Sequence, residues 1–400
     1  MKIGIVCADL GIDPGGDTGS SVHLRSLARG LGGRGHQVEL LAAAGSAFES
    51  GSNVRVTVID SDPTLQRLRR RALRSGAGRE ASEMTQLLAA GTWARAIDAR
   101  LAGCDAIYER QSLWSLAGLL HARRRGIPFV LEVNAPLVAQ QLRYRELAMT
   151  GAAEAVESEL LASADRVLVT CRDLVAYVRR HGGSARRTTV VPCGVDAAWL
   201  DNAPKASDGG DSFVLGFIGS LKPWHGLDIV VRALRKLRAK DERYRLVIVG
   251  DGPERPETQA ALERHGLTSA VEFVGPVPHR SIPTLLSTFD AGVAAYPPAD
   301  GFFFSPLKVW EYAACSVPIL ASASGELPIL FPHKDAALLH PPGSASKLAR
   351  HAELLAHHPD LSARLRRRAR AIARRHTWDR IAARVASILE HAAATPRGDV

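Results

Sequence analysis

Short apolar runs alternate with helix-length stretches along this chain, and the alternation starts twice. The first series of runs lies at residues 3–7, 37–41, 54–59, 105–108, 129–133, 166–170 and 189–191. The second lies at 213–218, 245–249, 271–274, 291–295 and 318–321. Between them are helical patterns. In residues 20–34, for example, Val22, Leu24, Leu27, Ala28 and Leu31 fall near one face. Others are expected at 63–103, 113–125, 138–163, 306–314 and 377–392. Strands alternating with helices build parallel sheets covered on both faces. Residues 197–212 have linker composition, rich in Asp, Gly, Pro, Ser and Ala. The pattern therefore predicts an α/β chain of two Rossmann-like, doubly wound domains facing across a cleft. The first spans 1–196 and the second 213–376. The final segment, 377–400, is expected to pack back toward the first domain. Doubly wound sheets bind ligands outside the carboxyl ends of their strands, where helix N-termini attract phosphate. A phosphorylated ligand is the corresponding expectation.

Composition narrows the class. With 46% apolar and 23% charged residues the chain reads as an ordinary globular protein, not a disordered one. No apolar run approaches the ~18 residues of a membrane span. The opening Met1-Lys2-Ile3-Gly4-Ile5-Val6 reads as a strand rather than a signal peptide. Five scattered cysteines, Cys7, Cys104, Cys171, Cys193 and Cys315, contain no Cys-x-x-Cys pair. Reduced thiols and a cytoplasmic location are expected, with no zinc site. The net charge is +10, and arginine carries most of the 51 basic positions. Two dense arginine patches occur at 67–79 and 364–380. They read first as solvated helix faces; peripheral contact with an anionic inner-membrane face is the alternative. No aromatic residues are interleaved to stack bases, so no nucleic-acid partner is expected. The oligomeric state is not legible.

Four strand-to-helix turns carry chemistry. The first, Asp13-Pro14-Gly15-Gly16-Asp17-Thr18-Gly19-Ser20-Ser21-Val22-His23, follows the first strand. Its glycines let backbone amides approach a ligand, and Ser20 is placed to cap the helix behind. It is neither Gly-x-Gly-x-x-Gly nor a phosphate loop ending Gly-Lys-Ser/Thr. The second, Gly219-Ser220-Leu221-Lys222-Pro223-Trp224-His225-Gly226, brings Lys222 beside a helix start, an arrangement suited to diphosphate. Trp224 is placed to stack on a ring or to pack. The third is Gly250-Asp251-Gly252-Pro253. The fourth, Phe302-Phe303-Phe304-Ser305-Pro306-Leu307-Lys308-Val309-Trp310-Glu311-Tyr312, is the most informative. Ser305 as N-cap and Pro306 as first helical residue would present the amides of Leu307 and Lys308. Lys308 adds a cation, and Glu311, three residues on, can accept from both hydroxyls of a ribose diol.

These segments resemble the retaining glycosyltransferases of family 4, whose two-domain fold is called GT-B. The resemblance also rests on Tyr108-Glu109-Arg110, Glu132-Val133-Asn134-Ala135-Pro136-Leu137 and Val191-Pro192-Cys193-Gly194-Val195-Asp196, and covers nearly the whole chain. It implies a nucleotide-sugar donor in the second domain and an acceptor mainly on the first. Glu311 matches the second glutamate of the family's Glu-x7-Glu motif, which holds the ribose. Leu307 and Lys308 match the amides at the diphosphate. Gly19 matches the glycine that closes on the donor, and the backbone near Val277 would meet the base. Ser220, Gly250, Phe304, Ser305 and Pro306 complete the implied donor site. The departures are specific. Phe303 stands where the first glutamate is usual. The usual arginine and lysine on the diphosphate fall at Ser220 and His225, and the usual histidine beside the sugar falls at Asn134. Lys222 and Lys308 are expected to supply the missing charge, while Asn134 and His23 are the candidates for sugar and acceptor contacts.

The reading is thus retaining transfer from a UDP- or GDP-linked sugar to a polysaccharide, a lipid-linked glycan or a small metabolite. No metal or other cofactor is expected. Asp60-Ser61-Asp62 matches the Asp-x-Asp metal signature of a different glycosyltransferase fold, but the other segments put phosphate elsewhere. A non-catalytic sugar-nucleotide-binding scaffold and a nucleotide-sugar epimerase are the alternatives.

Overall fold

The structure is a computed structural model that describes residues 1–59, 63–74, 78–201, 211–299, 301–303 and 305–395. The chain divides into two compact units. One comprises Met1–Gly16, Ser20–Pro192 and the chain from Ile381 onward; the other comprises Asp17–Gly19 and Cys193–Arg380.

The first unit holds seven strands: β1 (Lys2–Cys7), β2 (Gln37–Ala42), β3 (Val54–Val58), β4 (Ala106–Arg110), β5 (Phe129–Val133), β6 (Arg166–Val169) and β7 (Thr188–Val190). They form one parallel sheet in the order β3-β2-β1-β4-β5-β6-β7. The second unit holds β8 (Phe213–Ile218), β9 (Tyr244–Val249), β10 (Val271–Gly275), β11 (Ala291–Ala294), β12 (Ile319–Ser322) and β13 (Leu338–His340). Its parallel order is β10-β9-β8-β11-β12-β13. A central parallel strand is covered on both faces, so it must be apolar nearly throughout. β5 shows this: all five residues of Phe-Val-Leu-Glu-Val are buried, and the one charge, Glu132, has to find partners inside. In each sheet the strand order reverses beside the first strand, between β1 and β4 and between β8 and β11. Such a switch point opens a crevice at the carboxyl ends of the strands.

Several elements differ from the sequence expectation. The helix expected over 138–163 is two helices, Leu137–Tyr144 and Thr150–Ser163. Arg145 is fully extended (φ −147°, ψ −179°). The Glu83 carboxylate accepts the N–H groups of Ala148 (3.1 Å) and Met149 (2.7 Å), which frees both from helical carbonyls. The stretch 63–103 resolves into helices Pro63–Arg74, Gly78–Leu88 and Ala90–Leu101. The helix expected from 113 begins at Ala117. Its first N–H donates to the Ser115 hydroxyl, which in turn donates to Glu109. The helix after β1 begins at Gly19, so Ser20 lies within it and does not cap it. The second sheet gains β13, a three-residue strand absent from the expected set. The five cysteines are buried, and none is in a disulfide. Of 197–212, Ala197–Asp201 is a short helix, and 202–210 lie outside the described residues.

Candidate functional site

The switch point of the second unit is built around helix Leu307–Ala314, which begins after the Ser305-Pro306 pair. Tyr312 locks this helix to the sheet. Its hydroxyl accepts the N–H of Ile218 (3.2 Å) at the end of β8 and lies 3.3 Å from the carbonyl of Val293 in β11. The first helical turn therefore stands at the carboxyl ends of β8 and β11. The N–H groups of Leu307 and Lys308 belong to that turn and have no acceptor within the helix.

Lys308 is the unusual side chain. It is buried, and its ammonium has no hydrogen-bond partner among the described residues. It lies 3.9 Å from the centre of the Phe217 ring, a cation–π contact. Burial lowers its pKa to about 7 from the ordinary 10.5, while the Glu311 carboxylate pulls the other way. Gly219, the residue after β8, passes close by with φ +133°. A Cβ there would come within 3.2 Å of the Lys308 nitrogen. Gly250, after β9, has φ +123°, and a Cβ on it would lie 2.2 Å from the Gly219 carbonyl oxygen. These two glycines let the two strand ends come together under the ammonium.

The loop after Gly219 supplies less charge than its residue types suggest. Ser220 is exposed. Its carbonyl accepts the Lys222 N–H (3.0 Å) and a hydrogen bond from His225 Nδ1. Burial, reinforced by the Lys308 and Lys222 ammoniums, pushes His225 down to about 3. The imidazole standing where the resemblance expects a lysine is therefore neutral. Lys222 precedes the one-turn helix Pro223–His225 and is half-buried.

Glu311 lies one turn beyond Lys308 and is 7% exposed. His279 Nε2–H donates to its Oε1 at 2.8 Å. His279 opens the one-turn helix His279–Ser281 that follows β10, two residues after Val277. Its ring lies against Trp199, with centroids 4.7 Å apart and planes 31° apart.

The expected cap at the fourth turn is corrected. Pro306, not Ser305, occupies the cap position of the helix, and no side chain caps it. The Ser305 hydroxyl instead accepts the N–H of Cys193 (3.0 Å) and the indole N–H of Trp310 (3.5 Å). Phe302, the first of the three phenylalanines, is buried edge-on to Tyr296. Phe304 lies outside the described residues, as do Asp60, Ser61 and Asp62. Gly19 belongs by its contacts to the second unit, and a Cβ on it would lie 3.2 Å from Leu307 Cδ1.

The first unit brings His23 and Asn134 to a buried network centred on Glu132. His23 Nε2 lies 2.6 Å from Glu132 Oε1, and Arg110 Nη1 3.4 Å from Oε2. Burial alone would raise the Glu132 pKa. His23 and Arg110 outweigh it and hold the carboxyl well below the usual range. Asn134 follows β5 directly, and its side chain is among the groups that lower the Glu132 pKa. A cavity of about 10 Å³ lies beside His23 and Glu132, with Thr170, Ile381 and Val385 also in its wall. Among the described residues no group of three His, Cys, Asp or Glu side chains is placed to hold a metal ion. No described helix is long and apolar enough to cross a membrane.

In the second unit the structure thus gathers Gly219, Gly250, Lys308 and Glu311. In the first it joins His23 to Glu132, with Asn134 two residues along the chain. Sequence reasoning missed His279, Glu132 and Arg110 as members of these networks. Glu132 stands in the same segment as Asn134, so its adjacency was a usable signal. Nothing local pointed from His279 to Glu311.

Two family models match the chain. "Glycosyl transferase 4-like domain" matches residues 18–194, and "Glycosyl transferases group 1" matches residues 212–358. A 2-deoxystreptamine glucosyltransferase of Streptomyces kanamyceticus is 27% identical over 60% of this chain and 64% of its own length. A D-inositol 3-phosphate glycosyltransferase of Acidothermus cellulolyticus is 30% identical over 69% of this chain and 64% of its own. The match therefore spans less than two thirds of the length of these relatives. Among solved structures, sucrose-phosphate synthase from Thermosynechococcus elongatus superposes with a TM-score of 0.77 at 20% identity, covering 98% of both chains. Anabaena HepE, in a complex with UDP and glucose, gives 0.74 at 20% identity over 98% of this chain and 99% of that one.

Proposed function

Because the chain belongs to the glycosyltransferases with the GT-B fold, we propose that it moves a sugar from UDP or GDP to an acceptor with retention at the anomeric carbon and without a metal. The acceptor is a glycan, a lipid-linked sugar or a small metabolite. The observation that carries this reading is the buried, partnerless ammonium of Lys308 one turn before Glu311, at the carboxyl ends of β8 and β11. An ammonium in that setting lacks a hydrogen-bonded anion, and a diphosphate supplies one. The first-turn amides of helix Leu307–Ala314 add donors for the same group. Glu311 then accepts from the ribose hydroxyls.

The chemistry follows from charge. The bond between the anomeric carbon and the diphosphate oxygen breaks, and a bond to the acceptor's heteroatom forms. The acceptor proton passes to an oxygen of the departing diphosphate. Negative charge grows on that group, and Lys308 with the helix amides stabilises it without reorganising. The remaining work is alignment of donor and acceptor.

The test is thermal melting with UDP and with GDP, each in EDTA, for the wild type and Glu311→Ala. A nucleotide at ~100 times its dissociation constant adds about 2.7 kcal/mol. One of the two should raise the wild-type melting point, and Glu311→Ala should lose most of that rise. If neither nucleotide shifts the wild type, the donor reading fails. Phe303 at the first glutamate position and the neutral His225 favour a second reading, a binding scaffold without catalysis. Nucleotide binding with no consumption of any UDP- or GDP-sugar would favour it over the enzyme.

A further inference from the structure

We infer that His279 is a positioning residue, which fixes the Glu311 carboxylate so that its remaining acceptor sites face a ribose diol. The inference rests on the donor reading above. The hydrogen bond from His279 Nε2–H to Glu311 Oε1 is 2.8 Å long and largely shielded from water. A carboxylate offers about four acceptor positions, so one used by His279 leaves Oε2 and part of Oε1 for hydroxyls.

His279 is itself held at two further points. Its ring lies against Trp199, a buried indole. Its backbone N–H donates to Asp17 Oδ1 at 2.9 Å. A side chain braced in this way is preorganised, and preorganisation lowers the ordering cost of binding.

The alternative for an unbraced Glu311 is close at hand. The Lys308 ammonium stands one turn back on the same helix, and the two groups attract each other. Three-residue spacing on a helix brings such side chains within reach. A Glu311 that swings to Lys308 would spend the ribose acceptor and the phosphate cation on each other. His279 therefore keeps the two functions apart. It touches neither the sugar nor the diphosphate and acts through Glu311.

The experiment measures dissociation constants for the better-bound of UDP and GDP and for its 2′,3′-dideoxy form. The proteins are the wild type, His279→Ala, His279→Gln, Glu311→Ala and the double alanine variant, each checked for folding by melting. His279→Ala should weaken the ribonucleotide about five- to tenfold, the scale of one oriented hydrogen bond. It should change the dideoxy nucleotide less than about twofold and add nothing in the Glu311→Ala background. His279→Gln keeps an N–H donor and should recover most of the loss. Equal losses on both nucleotides would overturn the inference, since the effect would then be general to the fold. So would tighter ribonucleotide binding by His279→Ala, which would make His279 a shield over Glu311. If the wild type binds the two nucleotide forms equally, Glu311 does not read the ribose and the inference falls while nucleotide binding stands. If it binds neither UDP nor GDP, the donor reading itself has failed.

Discussion

A buried ammonium without an acceptor favours its neutral form, and Lys308 shows the consequence in a pKa lowered by burial to about 7. The unfolded chain keeps the ordinary value of 10.5. Between the two values the unfolded state binds more protons, so stability rises with pH across that window. Below pH 7 the folded protein carries the buried charge, which Glu311 offsets only in part. A bound diphosphate reverses the preference by supplying the counter-charge, so binding should take up a proton at Lys308. Titration calorimetry at pH 8, in buffers of different ionisation enthalpy, reads that uptake directly; the diphosphate is already fully ionised there. Affinity should fall as pH rises from 7 to 9, and Lys308→Met should abolish the uptake. Binding that proceeds without proton uptake in the wild type would remove Lys308 from the phosphate site. That Lys308 and Glu311 lie one turn apart on a single helix was legible in the sequence, because three-residue spacing on a helix is a local rule. The His279 bond to Glu311 joins positions 32 residues apart and obeys no local rule.

At the scale of an element, the outer edge of the second sheet depends on neutral histidines. His340, on β13, is wholly buried, and its Nε2 lies 3.3 Å from the Ser322 hydroxyl. That hydroxyl accepts the Tyr296 N–H at 2.8 Å, so β13 is tied through the end of β12 to the loop after β11. His351, on helix Ala345–His357, stands with its ring 6.3 Å from that of His340. The Nδ1 atoms of both are buried with no partner among the described residues. Burial is the main cause that holds both down to about 4, with nearby basic groups, Lys347, Lys334 and Arg350 among them, adding to it at His351. Their unfolded value is 6.5, so stability is full above that pH and is lost as pH falls toward 4. The His340 shift alone corresponds to about 3 kcal/mol. The melting point should drop steeply between pH 6.5 and 4.5, and His340→Gln should flatten the slope. Equal melting at the two pH values would show that this edge does not titrate. The strand itself was not legible, since three residues carry too little alternation to separate a strand from a loop. The break at Arg145–Met149 was hidden for a different reason. The carboxylate that stabilises it, Glu83, comes from 65 residues earlier.

At the scale of the molecule, the twofold restart of apolar runs foretold two parallel sheets, because buried parallel strands have no freedom to be polar. Chain order does not by itself assign the last helix, however. The second unit ends at Arg380, and the residues from Ile381 belong to the first unit. Helix Trp378–Ala394 supplies Ile381 and Val385 to the cavity wall shared with Tyr108 and Leu168, and Leu389 is wholly buried. The stability of the first unit thus rests partly on side chains made after the second unit is complete. Leu389→Ala removes three buried heavy atoms' worth of packing, and such truncations cost about 2–5 kcal/mol. The loss should fall on the first unit alone. Melting followed with and without UDP, or GDP if that is the nucleotide bound, separates the two: on the proposed donor reading, a nucleotide held by Lys308 and Glu311 stabilises only the unit that contains them. The expected record is a lowered transition that UDP does not move, beside a second that UDP raises as in the wild type. If Leu389→Ala instead lowers the UDP-sensitive transition, the last helix stabilises the second unit, and the two units share more of their stability than their separate cores imply.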